Sequence, residues 1–247
     1  MKFPAAHFAF LVLITTTLAN TPTYQNVVYS EDFERCKMDI WLPDSNGATS
    51  VIVYFHGGGF KKGDKTHITF KKDFLSLVKK GVAIISVGYP LLGDTGKDDE
   101  IGTNDYEKIL TYTASAVEHI QQNSASYNLD LSRLVFAGNS AGALISGFLT
   151  YEKDFNASAC IAIQQPWALQ RVLDNIEKDE APIILYTRSG EDDQTHHPRY
   201  AMATHEHCQR VGVTSYLYGS KASGLPTLPE NQNFVQRTHH ILSEIWE

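Results

Sequence analysis

Short runs of β-branched and aliphatic residues alternate along this chain with longer stretches whose apolar positions recur every three or four residues. From Val27 onward the runs predict strands over residues 37–42, 51–56, 82–87, 134–137, 159–163, 183–187 and 214–218. Several are apolar at consecutive positions, the pattern of a strand buried on both faces. Helices are predicted between them over residues 67–80, 104–122, 141–151, 198–211 and 234–246. In the last, Phe234, Thr238, Ile241, Leu242 and Ile245 keep the rhythm of a helix with one buried face. Strands alternating with helices predict an α/β fold, a mostly parallel central sheet with helices on both faces. No internal repeat and no dividing linker interrupts the pattern, and the one weakly patterned stretch, residues 219–233, is rich in Gly, Ser and Pro.

The first nineteen residues break this rhythm. Lys2 precedes a stretch, residues 5–18, that is apolar apart from His7 and three threonines, and Thr17-Leu18-Ala19 places small residues at a cleavage position. The apolar run is shorter than the ~20 residues a membrane-spanning helix requires. The expectation is a signal peptide over 1–19, a single domain over 20–247 and a secreted or periplasmic protein, in which Asn156-Ala157-Ser158 becomes a glycosylation site only in a eukaryotic host. With 247 residues, 43% of them hydrophobic, the chain can bury one large core. Its 28 acidic against 21 basic residues, a formal charge of −7, repel phosphate backbones and argue against nucleic acid as a partner. Cys36, Cys160 and Cys208 allow at most one disulfide and contain no CxxC pair.

Candidate chemistry concentrates at two strand ends. Gly138-Asn139-Ser140-Ala141-Gly142 directly follows a predicted strand and opens a predicted helix, the context in which a GxSxG sequence forms a tight turn with an exposed serine hydroxyl. Small residues two before and two after the serine relieve the crowding of that turn. The backbone N–H of Ala141 would then donate to an oxyanion at the helix N-terminus. His56-Gly57-Gly58-Gly59-Phe60 follows the apolar strand 51–56, and its glycines can present N–H groups, those of Gly58 and Gly59, as the second half of an oxyanion hole. Both motifs fall at strand C-termini, where open parallel sheets bind ligands.

With these motifs the sequence resembles the α/β-hydrolase superfamily, in particular the HGGG-type serine esterases and lipases related to hormone-sensitive lipase and the small carbohydrate esterases. Met38-Asp39-Ile40-Trp41-Leu42-Pro43 is similar to the family's early strand and Gly63-Asp64-Lys65 to the continuation of its oxyanion loop, while Tyr89 and Asp105 stand where relatives carry a tyrosine and an acidic residue. The resemblance implies the α/β-hydrolase fold with a minimal or absent cap, and a Ser, acid, His triad in that chain order. It also implies hydrolysis of a carboxylic ester through an acyl-serine intermediate, without a cofactor. Ser140 is the implied nucleophile. The family's spacing from Gly190 favours Asp193 as the acid, with Asp192 as the fallback.

The sequence departs from the family at the histidine, for residues 219–233, after the last predicted strand, contain none. A serine without a base is a poor nucleophile. Two replacements present themselves: His196 or His197, in the loop leading into the helix begun by Pro198, and His239 or His240, within the final helical pattern. A third reading is a scaffold that has lost its base and serves as a binding protein. The same constellation would also serve a serine peptidase. The expected substrate is a small-molecule, carbohydrate or lipid ester. His205, His207 and Cys208 do not share one helix face at ligand spacing, so no metal is expected. Trp167, after the strand 159–163, is a candidate pocket or core residue.

Overall fold

The computed structural model describes residues 21–94 and 103–247; the expected signal peptide, 1–19, lies outside the described residues. Eight strands form one sheet in the order β1-β2-β4-β3-β5-β6-β7-β8, where β1 is Tyr24–Val28, β2 Lys37–Trp41, β3 Thr49–Phe55, β4 Val82–Val87, β5 Leu129–Asn139, β6 Ala159–Ile163, β7 Ile183–Thr187 and β8 Ser215–Gly219. Strands β3 to β8 pair in parallel, and β1 and β2 run antiparallel at one edge. Among the described residues five α-helices lie between the strands, α1 Lys71–Ser76, α2 Thr103–Gln122, α3 Ala141–Gly147, α4 Gln170–Asp174 and α5 Pro198–Val211, and a sixth, α6 Phe234–Ile245, follows β8. The α/β fold read from the sequence is the fold observed.

Consecutive apolar positions in the strands serve two separate cores. In β3, Val51, Val53 and Phe55 face one core while Ile52 and Tyr54 face the other, and β7 divides Ile183 and Leu185 from Ile184 and Tyr186 in the same way. Helices α2 to α5 contribute to the first core, with Ile109, Ala141, Val172 and Cys208 among their buried residues. Helices α1 and α6 cover the second with Phe74, Leu75, Phe234 and Ile241. Each apolar side chain removed from water in this way stabilises the sheet by about 1.5–3 kcal/mol.

Departures from the predicted elements have local causes. The stretch 67–80 is not one helix: Phe70 adopts a left-handed conformation, φ 58°, α1 begins after it, and a 3₁₀ turn, Leu77–Lys80, closes at Gly81. The helix predicted over 141–151 ends at Gly147 and passes into a π-helical turn, Phe148–Glu152. That turn brings Glu152 to Arg171 of α4, whose guanidinium also binds Glu107 of α2. All three cysteines are free and buried.

One buried ion pair ties β2 to the loop that follows β3. Lys65 Nζ lies 2.8 Å from both Asp39 carboxylate oxygens, and Asp39 Oδ1 also accepts the Asn26 N–H at 2.9 Å. Lys65 is 8% exposed and Asp39 3%. Breaking such a pair leaves one charge buried alone. Lys65→Met is therefore expected to lower unfolding free energy by about 3–5 kcal/mol in urea titration, while Lys65→Met with Asp39→Leu loses much less. A single variant as stable as wild type would contradict this.

Candidate active site

Ser140 sits between β5 and α3 with φ 56° and ψ −115°, a conformation that non-glycine residues enter only at a cost of order 1–3 kcal/mol. Close packing enforces it. A Cβ on Gly138 would lie 2.1 Å from the Gly142 carbonyl oxygen, and one on Gly142 would lie 2.0 Å from that of Phe55. The turn is thus pressed against the end of β3. The Ser140 N–H donates to Ile163 O at 2.8 Å, which fixes the turn to β6.

The HGGG segment is the neighbour it is pressed against. His56 is buried, its ring stacked on Tyr89 at 4.2 Å, and the Tyr89 hydroxyl donates to His56 O at 2.6 Å. His56 Nδ1 lies 2.7 Å from Gly57 O, which only accepts, so the proton resides on Nδ1. Burial pushes the imidazole down to about 4 and keeps it neutral at neutral pH. A Cβ on Gly57 would stand 2.7 Å from Asn139 O and 3.4 Å from Ser140 Cβ, so this backbone runs directly alongside the serine. Gly58 and Gly59 have φ 121° and 62°, which glycine alone adopts without strain. The N–H groups of Gly57, Gly58, Gly59 and Ala141 have no acceptor among the described residues.

The histidine that meets Ser140 is His196. Its Nε2 lies 2.8 Å from Ser140 Oγ and its Nδ1 3.2 Å from Asp193 Oδ2. A carboxylate on the Nδ1 side holds the proton there and leaves Nε2 bare to accept the serine proton. Asp193 Oδ1 accepts the N–H groups of Thr195 and His196, both at 2.9 Å, and Oδ2 accepts the Ser189 hydroxyl at 2.5 Å. The Ser189 hydrogen bond, followed by those from His196, holds the Asp193 carboxyl at about 2. It stays ionised above that value, and the stability it lends the loop is lost only as pH falls from the ordinary carboxylate range through about 2.

Behind this set lies a layer that the sequence did not reveal. Gln164, buried at the end of β6, donates from Nε2 to Ser189 Oγ at 2.8 Å and accepts on Oε1 from Thr187 Oγ1 at 2.9 Å and from the Arg188 N–H. Its φ of 54° turns the chain immediately beyond the strand. The available signal was positional: a glutamine at a strand C-terminus, the edge where these sheets place function.

The other candidates are held elsewhere. His197 is the N-cap of α5, its Nδ1 accepting the Arg199 N–H at 3.1 Å. Asp192 is exposed and makes no hydrogen bond with His196. On α6, His240 pairs with Glu244 at 3.3 Å, and burial, with Lys80 beside it, pushes the His239 imidazole below its ordinary value. Trp167 is 64% exposed, so it is no core residue, and its N–H donates to Thr195 O, one residue before His196, at 3.1 Å. The histidine-free segment after β8 braces the acid loop instead: Ser220 Oγ donates to Arg188 O at 2.8 Å.

Comparison with known proteins bears on the family and the fold. Residues 38–178 match the BD-FAE family. An acetyl esterase of Salmonella schwarzengrund (strain CVM19633) is 25% identical over 133 residues, 52% of this chain and 38% of that protein. Esterase B1 of Culex pipiens is 29% identical over 123 residues, 48% of this chain and 22% of its own. The chain thus matches well under half the length of these relatives. Thermogutta terrifontis esterase 2, phosphonylated by cyclosarin, superposes with a TM-score of 0.73 at 16% identity, covering 91% of this chain and 95% of that one. A truncated carbohydrate esterase from gut microbiota gives 0.71 at 14% identity, covering 90% and 95%. No helix among the described residues is long and apolar enough to cross a membrane.

Proposed function

Since the chain belongs to the BD-FAE family, we propose that it is a serine carboxylesterase, and that Ser140, His196 and Asp193 form its triad. The observation that carries this reading is the 2.8 Å contact between His196 Nε2 and Ser140 Oγ, with Asp193 on the far side of the imidazole. Ser140 Oγ attacks the ester carbonyl carbon as its proton passes to His196 Nε2. The carbonyl oxygen becomes an oxyanion, held by the N–H groups of Ala141, Gly58 and Gly59, which have no protein acceptor of their own among the described residues. Imidazolium then protonates the leaving alkoxide, the C–O bond breaks, and the acyl group stays on Ser140. Water attacks this acyl-serine with His196 as base, and the acid leaves. Asp193 remains ionised throughout and stabilises the imidazolium.

The name of the acetyl esterase relative and that of the carbohydrate esterase neighbour support a short acyl group carried on a sugar or other small alcohol. The His196 contact favours catalysis over a scaffold that binds without a base. A fluorophosphonate probe tests the reading. It is expected to label the wild type and not Ser140→Ala. A folded wild type that resists labelling would overturn it.

A further inference from the structure

Beside the serine turn lies a cavity of about 370 Å³ whose lining includes Gly57, Gly58, Asn139, Lys62, His67 and Thr69. Gly57 and Asn139 flank Ser140 directly, since a Cβ on Gly57 would come within 3.4 Å of Ser140 Cβ. The cavity therefore adjoins the serine turn from the side of the HGGG segment.

The charge of the lining runs against the composition of the chain. Acidic residues outnumber basic ones 28 to 21, yet no carboxylate lines this cavity, and its ionisable groups are Lys62 and His67. Lys62 is fixed to the oxyanion loop: its N–H donates to Gly58 O at 3.2 Å, and its Cγ lies 3.2 Å from where a Gly58 Cβ would stand. The lysine stem thus lies over Gly58, and the exposed Lys62 side chain lines the cavity without an ion-pair partner among the described residues. Asp64, the nearest acid in sequence, lines a separate cavity, and its Oδ1 accepts the Thr66 N–H at 2.8 Å. Next to Thr69, Phe70 carries the Arg188 guanidinium, 5.3 Å from its ring centroid.

We propose that this cavity selects esters bearing a carboxylate a few bonds from the scissile carbonyl, with Lys62 and His67 as the residues that recognise it. The proposal rests on the esterase reading and names the substrate class within it. The carboxylate could lie on the acid side, as in a half-ester of a dicarboxylic acid, or on the alcohol side, as in an ester of a hydroxy acid or uronic acid.

The test measures kcat/KM for two matched pairs in wild type, Lys62→Met and Lys62→Glu. The acyl-side pair is 4-nitrophenyl butyrate against 4-nitrophenyl hemisuccinate; the alcohol-side pair is 4-nitrophenyl acetate against 3-carboxy-4-nitrophenyl acetate. At low ionic strength the wild type is expected to favour the charged member of one pair by about fivefold, as a partly exposed ion pair allows. The ratio should fall with added salt, vanish in Lys62→Met and reverse in Lys62→Glu. The pair that responds identifies the side. Hydrolysis of the neutral esters with no preference in either pair, or with a preference unchanged in Lys62→Glu, overturns this proposal alone. Failure to hydrolyse all four esters would remove the esterase reading, and this proposal with it.

Discussion

Replacing His196 with alanine is expected to lower kcat/KM for 4-nitrophenyl acetate by about 10⁴–10⁶, as removal of a triad member does in serine hydrolases generally. Ser140→Ala should cost a similar factor, and the double variant scarcely more, because the two groups act on one proton. The neighbour His197 offers a sharp control. Its ring caps α5 by accepting the Arg199 N–H, so His197→Ala should cost about 1 kcal/mol of stability and little activity. His239→Ala and His240→Ala lie on α6 and should leave the rate near wild type. If His196→Ala keeps within tenfold of the wild-type rate, the assignment of the base fails, whatever the other variants do.

A large loss of stability is also expected from Gly142→Ala. Its new methyl would sit 2.0 Å from the Phe55 carbonyl oxygen and 2.8 Å from that of His56, well inside contact distance. Both obstacles are backbone at the end of a central strand, which cannot rotate away as a side chain would. A cost above about 3 kcal/mol is expected, enough to leave a marginally stable fold mostly unfolded. Gly212→Ala supplies the comparison: that glycine has φ 85° but nothing within 4 Å of a Cβ, so only backbone strain of about 1 kcal/mol should appear. Urea midpoints of the two variants separate steric exclusion from strain. Equal midpoints would mean that the serine turn does not rest on β3 as described.

The two variants also mark where the sequence is legible. Strands β4, β6 and β7 are readable because both faces are buried, and a nearly unbroken apolar run then has no other use. Strand β1 is not readable: it is an edge strand, almost wholly exposed, with a bulge beside Asn26, so no alternation survives. Helix α4 has only five residues, too few to display a period. In the site, Ser140 and the glycine segments announce themselves because their backbone conformations admit few residue types. The histidine does not, because adjacent loop residues carry no periodicity to separate them. A local rule does divide the pair: the residue before a proline that opens a helix is its N-cap, which leaves His197 to the helix and His196 free to turn inward. Gln164 and Ser189 stayed hidden because their roles are made by tertiary contact alone.

Acid and base stand three residues apart on one short loop, and the acid accepts the backbone N–H of the base itself. Their mutual geometry is set by that loop's own hydrogen bonds. Where a histidine instead follows the final strand, fraying at the sheet margin would pull it out of line. Here β8 and the segment beyond it hold no member of the relay and act on it through braces such as Ser220 Oγ to Arg188 O, so opening of the sheet margin loosens the acid loop without carrying the base away. Amide exchange at the sheet margin and turnover are thereby coupled through those braces rather than through the base itself.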